Sequence, residues 1–119
     1  MRALEASLSD VLGVPGVVGA VLVDAVTGLG YGSAGDHRLL GSGVELAELA
    51  QLIGDRLFAA GATGELESVV VTSTRHHEVV QVVPRHGDPL LLATVLDRGR
   101  TNLALAVHQT AHRAADLLT

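Results

Sequence analysis

LESVVVTSTRHHEVVQVVPRHGDPLLLATVL, Leu66 to Leu96, is the stretch whose reading decides the fold. It contains three β-rich runs, Leu66 to Thr74, Glu78 to Pro84 and Pro89 to Leu96. The first is carried by the uncharged triplet Val69, Val70 and Val71, and β-branched side chains fit a pleated surface. The separators Ser73-Thr74-Arg75-His76 and Arg85-His86-Gly87-Asp88 are short. Connectors of that length join antiparallel neighbours, so the stretch predicts two successive hairpins.

Upstream, Val44 to Ala60 has the spacing of a helix: Leu46, Leu49, Ala50, Ile53 and Leu57 fall on one stripe that should face the sheet. Ser42 is its expected N-cap, with Glu45 as capping-box partner, and Gly61 its C-cap. Further upstream, Val17 to Asp24 reads as a strand buried on both faces. Asp24 to Gly28 is a turn, and Leu29 to Ser33 returns as a glycine-rich strand. Gly35 to Ser42 is expected to be a loop. Leu4, Leu8 and Leu12 mark an opening helix over Arg2 to Leu12, stopped by Gly13 and Pro15-Gly16. Downstream, Thr101 to Leu118 is a helix with Leu103, Val107, Ala111 and Leu117 or Leu118 on its apolar face. The order is α-β-β-α-β-β-β-α. The expected class is α/β (α+β): one antiparallel sheet flanked by helices, in a single domain over residues 1–119.

Composition narrows the function. With 48% hydrophobic and 18% charged residues the chain can build a core, but Tyr31 and Phe58 are its only aromatics, so that core is made of Val, Leu and Ala. There is no cysteine, which removes disulfides, thiolate zinc sites and cysteine nucleophiles. There is no lysine, so a Walker-type phosphate loop and Schiff-base chemistry are both excluded. A net charge of -5 argues against nucleic acid. The most apolar run, Val17 to Val23, is far shorter than the roughly 20 residues of a membrane-spanning helix. MRALEASLSD lacks the long apolar core of a signal peptide, so a cytoplasmic protein is expected.

No constellation of catalytic residues stands out. There is no Gly-x-Ser-x-Gly elbow, and Gly28, Gly30, Gly32 and Gly35 do not form a dinucleotide fingerprint. Gly30-Tyr31-Gly32 fits a strand lying under a close-packed helix. His108 and His112 share a helical face, and His76-His77 sit near a turn, but a zinc site needs at least three ligands of compatible geometry, and the His108/His112 face, offset from Leu103 and Val107, reads as a solvated one, so no metal is expected. Arg75, Arg85, Arg98 and Arg100 read as surface cations or as ion pairs with Asp88 or Asp97. The chain is expected to be non-catalytic and to hold no cofactor.

Three stretches resemble the Roadblock/LC7 family in order and spacing. They are PGVVGAVLVDAVTGLGYGSAG (Pro15 to Gly35), ELAELAQLIGDRL (Glu45 to Leu57) and LLLATVLDRGRTNLALAVHQTAHRAADLL (Leu90 to Leu118). The likeness is greatest to bacterial members, which sit beside small Ras-like GTPases. The resemblance implies a profilin-like, five-stranded antiparallel sheet with one helix on one face and two on the other. It implies a homodimer in which central helices pair and the Leu66 to Thr74 edges join. It implies an adaptor that regulates or scaffolds a small Ras-like GTPase; apart from the resemblance, a sensor kinase-type protein is a further partner to be considered. A small-molecule sensory domain of profilin-like fold and a purely structural scaffold are the alternatives.

On this reading Ala47, Gln51, Gly54 and Phe58 form a second helical stripe, about 100° from the sheet-facing one, that receives the partner helix. A mid-helix glycine costs about 1 kcal/mol relative to Ala, which suits close packing at Gly54. Val69 and Val71 belong to an uncharged edge exposed to strand addition. The expected dimer interface is therefore Ala47, Gln51, Gly54, Phe58, Val69 and Val71.

Overall fold

A computed structural model describes residues 3–117. The chain runs α1 (Leu4–Val11), β1 (Val17–Asp24), β2 (Gly30–Gly35), α2 (Gly43–Ala59), β3 (Ser68–Thr72), β4 (His76–Val83), β5 (Leu90–Asp97) and α3 (Leu103–Asp116). Single 3-10 turns at Arg38–Leu40 and Arg98–Arg100 precede α2 and α3. The expected order of helices and strands is the observed one. Arg2 and Leu118, expected at the outer ends of the first and last helices, lie outside the described residues.

The five strands form one antiparallel sheet in the order β2-β1-β5-β4-β3. β5 is buried at every residue before Asp97, and β1 is buried at all but Val18. Such strands need cover on both faces. On one face Leu8 and Val11 of α1 and Ala106 and Ala114 of α3 pack on Ala20, Leu22, Leu90, Leu92 and Leu96. On the other, Leu46 of α2 and Leu40 of the 3-10 turn pack on Val21, Val23, Leu91, Ala93 and Val95. Gly32 lies directly under α1: a Cβ there would come 2.8 Å from Leu8 Cδ1. The glycine-rich strand is thus what admits the helix to the sheet.

Local chemistry sets the helix ends. The Ser42 hydroxyl accepts from the Glu45 N–H at 3.1 Å, while the Glu45 carboxylate accepts from the Ser42 N–H at 3.0 Å, completing the expected capping box. At the other end Gly61 takes a φ of 76°. Gly61 N–H then donates to the Phe58 carbonyl and Ala62 N–H to the Leu57 carbonyl, both at 3.0 Å, the paired bonds of a Schellman stop.

Three boundaries differ from expectation. β4 begins at His76 rather than Glu78, because the Ser73 hydroxyl accepts from the His76 N–H at 3.1 Å and shortens the hairpin loop to Thr74-Arg75. β3 is confined to Ser68–Thr72 and β2 extends to Gly35. The segment read as a loop after β2 contains the 3-10 turn, which drives Leu40 into the core. The largest change concerns α2. Leu46 is buried, but Leu49, Ala50 and Ile53 are half-buried and Leu57 is exposed. The stripe runs the length of the helix, but the helix outruns the strands beneath it.

One polar bridge locks α3 onto the sheet. Gln81 Nε2, on buried β4, donates to Thr110 Oγ1 at 2.7 Å and to the Val107 carbonyl at 3.0 Å. Thr110→Val should strand one buried N–H and cost about 1–3 kcal/mol in urea unfolding. Adding Gln81→Leu should recover much of that loss; a strictly additive double mutant would show that the bridge is not the link. A second prediction concerns acid. Asp24 Oδ1 accepts from the backbone N–H of Thr27 at 2.9 Å and of Val26 at 2.8 Å, which holds its carboxyl below the ordinary carboxylate value. A lowered folded pKa stabilises above the unfolded value and is lost as pH falls through the folded one. The Tm difference between wild type and Asp24→Asn should therefore shrink below about pH 4.

Candidate interaction surface

β3 is an edge with only β4 beside it. Its residues, Ser68 to Thr72, carry no charge, and Val70 and Val71 are 41% and 43% exposed. Edge strands are normally blunted by charge, proline, bulge or cover. β2, the opposite edge, has two such devices: a register break opposite Leu22/Val23, and α1 packed over it. Among the described residues nothing comparable protects β3.

Next to this edge, α2 projects. It contacts β1 and β5, and every residue from Asp55 to Ala59 is exposed. Phe58 is 87% exposed. Leu52 and Leu57 add further apolar surface. Between α2 and the ends of β4 and β5 runs an open groove of about 600 Å³, walled by Ala50, Gly54, Leu66, Val82 and Leu91. Two of the polar groups bordering it are engaged, while Glu65 stands at its rim: Gln51 Nε2 donates to Asp55 at 2.9 Å. Arg85 Nε donates to the Asp88 carbonyl at 2.7 Å, and its Nη2 lies 3.5 Å from Asp24 and 3.2 Å from the Tyr31 hydroxyl.

The residues expected at the interface are distributed as follows. Val69 and Val71 alternate onto the same sheet face as α2, opposite Val80 and Glu78. Gln51 and Phe58 are exposed, and Gly54 has nothing within 4 Å of an added Cβ. Ala47 is buried within its own chain at 5% exposure, because the first turns of α2 sit down on the sheet. Leu57, exposed beside Gly54 and Phe58, belongs to the same surface, which sequence reasoning misses; Leu52 is exposed too but lies about 140° around the helix from Leu57. The 3.6-residue count that assigns Leu57 to the core cannot show where the sheet ends.

The charged groups nearby are unevenly spread. Glu78 stands on the α2 side of β4, opposite Val71 and Val95, and burial pushes its carboxyl up from the ordinary value. Beyond the top of β3, Arg98 N–H donates to the Arg75 carbonyl at 3.0 Å and Arg98 Nη1 to the Ser73 carbonyl at 3.1 Å. Arg100 lies 3.9 Å from Asp97. His77 is buried and meets the Thr72 hydroxyl through Nδ1 at 2.8 Å, while His108 and His112 are exposed on α3. Among the described residues no three His, Asp or Glu side chains converge as a metal site would require, and no helix is long and apolar enough to cross a membrane.

No family model matches the sequence, and no curated protein matches it. Solved structures do match. MglB of Myxococcus xanthus superposes with a TM-score of 0.79 at 18% identity, covering 98% of this chain and 91% of that one. A Roadblock/LC7 domain from Streptomyces avermitilis gives 0.76 at 22% identity, covering 98% and 95%. The gliding protein MglB of Thermus thermophilus gives 0.74 at 18% identity, covering 99% and 90%. The strand order, the helices on both faces and these superpositions agree: this chain has the Roadblock/LC7 fold.

Proposed function

We propose that the chain is a non-catalytic, cytoplasmic adaptor: a homodimer, formed by one domain over residues 1–119, that docks a small Ras-like GTPase and regulates or scaffolds it. The observation that carries the dimer is the bare β3 edge beside the projecting apolar end of α2. Pairing of β3 with its copy would satisfy the edge's backbone groups. The second α2 would cover Val69, Val71 and the exposed end of the first, so that Gln51, Gly54 and Phe58 join the interface while Ala47 stays in the core of its own protomer. Burying a side chain the size of Phe58 is worth about 1.5–3 kcal/mol. The fold supports this reading, since one MglB neighbour was solved in a tetrameric arrangement.

The GTPase partner rests on the sequence resemblance to bacterial Roadblock/LC7 proteins together with the shared fold. Nothing in these neighbours supports a sensor kinase-type partner. A small-molecule sensor would need convergent free polar groups in its pocket. In the groove under α2, Gln51 and Arg85 are already bonded within the chain, which favours a protein partner.

Two measurements test the proposal. Val71→Lys and Gly54→Arg alter exposed or open positions, so both variants should fold; in sedimentation both should shift the dimer to monomer, and dimers as tight as wild type would move the interface elsewhere. In a pull-down, a Ras-like GTPase from the same genome, loaded with GTP analogue or with GDP, should be retained in at least one state by wild type and lost with Val71→Lys. Retention in neither state would overturn the GTPase assignment.

A further inference from the structure

One corner of this acidic chain gathers its cations. The net charge is -5, yet three of the eight basic residues, Arg75, Arg98 and Arg100, stand exposed on two neighbouring turns. Thr74-Arg75 is the turn between β3 and β4, and Arg98–Arg100 is the 3-10 turn after β5. His76 and Asp97, the last pair of the β4–β5 ladder, lie between the two turns. Together they enclose an open hollow of about 580 Å³, lined by Thr74, Arg75, His76, Asp97, Arg98 and Gly99. The turns are tied to each other: Arg98 N–H donates to the Arg75 carbonyl at 3.0 Å, and Arg98 Nη1 to the Ser73 carbonyl at 3.1 Å. That uses one of the five N–H groups of the Arg98 guanidinium. Among the described residues the Arg75 guanidinium, the Thr74 hydroxyl and the His76 ring have no hydrogen bond or ion pair. Asp97 is the one acid in the lining, and its carboxylate is already engaged: Oδ1 accepts from Gly99 N–H at 3.0 Å, and Oδ2 lies 3.9 Å from Arg100 Nε.

We propose that this hollow is a binding site for a phosphate group, free or at the end of a small phosphorylated metabolite, held by Arg75 from one turn and Arg98 from the other. Guanidinium forks match phosphate oxygens in pairs. A carboxylate is planar, and a single guanidinium satisfies it; a phosphate is tetrahedral and presents oxygens in several directions, so it can be met from both walls at once. The Thr74 hydroxyl and the His76 ring stand in the same lining to donate to the oxygens left over. Three guanidinium groups against one engaged carboxylate leave an excess of positive charge, and that local field draws an anion to the corner. The rest of the chain is acidic, which admits a small anion and repels an extended one such as a nucleic acid. Because Arg98 is already fixed to Ser73, ordering it around a ligand costs little. The hairpin turn leads back into β4, away from the free edge of β3, so the site is complete within one protomer. It depends on neither the dimer nor the GTPase.

Amide NMR spectra of the isotope-labelled full chain test the site, with inorganic phosphate as the probe and ionic strength held constant with sodium chloride. Saturable shifts are expected at the backbone N–H groups of Thr74, Arg75, Arg98 and Gly99. Malonate, a carboxylate dianion of like charge, should bind about ten-fold more weakly or worse. Arg75→Ala alters an exposed side chain with no partner of its own, and Arg98→Lys keeps the charge while losing the fork. Each should weaken phosphate binding about ten-fold, with circular dichroism showing both folded. Arg113→Ala, which removes an exposed cation on α3, should leave the binding unchanged. Glycerol phosphate separates the two sources: binding at least as tight as that of inorganic phosphate assigns the site to a phosphorylated metabolite, and weaker binding assigns it to the free ion. Shifts that do not saturate, malonate binding as tightly as phosphate, or an Arg75→Ala variant as tight as wild type would mean an adventitious ion only and would overturn the proposal.

Discussion

The β1–β5 ladder is the constraint on which the rest depends. Both strands are apolar on both faces, and they lie side by side at the centre of the sheet, from Val17 opposite Leu96 to Asp24 opposite Leu90. Apolar surface on two sides must be covered on two sides. One face receives α1 and α3 together; the other receives only α2 and the 3-10 turn at Arg38–Leu40. α2 lies over β1 and β5, so on that face β3 and the outer part of β4 have less cover. The exposed edge is therefore a consequence of how the centre is buried. It is where this fold has apolar surface to offer a partner.

Two polar groups at the centre of this frame find their bonds, while on α3 the buried Gln109 Oε1 has none among the described residues. Gln81 is an unusual residue for a buried strand, but it faces α3, whose Thr110 and Val107 carbonyl accept from it. Asp24 ends β1 and is held by two backbone N–H groups, with Arg85 beside it. Glu78 is the contrast: its carboxyl is half-buried among valines on the α2 side. The α2 side of the outer sheet therefore combines a desolvated acid with incomplete apolar cover, whereas on the other side Gln81 ties β4 to α3.

Much of this is legible in the residues. The 3.6-residue stripe of α2, the Ser42–Glu45 box, the β-branched runs and the short connectors are local signals. They act over a few residues and need no knowledge of the remainder of the chain. The glycines of β2 are readable as a site of close helix packing, since only a missing Cβ admits Leu8 so near to Gly32. Residue pattern alone starts β4 two residues late, because a single side-chain bond, Ser73 to His76, tightens the hairpin. It also sets Ala47 on an outer stripe, because helical spacing gives angles around an axis and no information on how deep the helix sits.

By itself, then, the sequence determined the elements, their order, the apolar face of each, and the absence of lysine and cysteine chemistry. These follow from residue type and short-range spacing. Tertiary structure decided which strand became the bare edge, where along α2 the sheet stops, and that Leu52, Leu57 and Phe58 are left in solvent while Ala47 is not. It also decided that Glu65 and Glu67 stand at one end of β3 and the Arg75 and Arg98 pair at the other, with Arg98 held to Ser73 by a bond between residues 25 apart in the chain. Periodicity assigns a face to every residue, but only the finite width of a sheet determines which of those faces finds something to cover it.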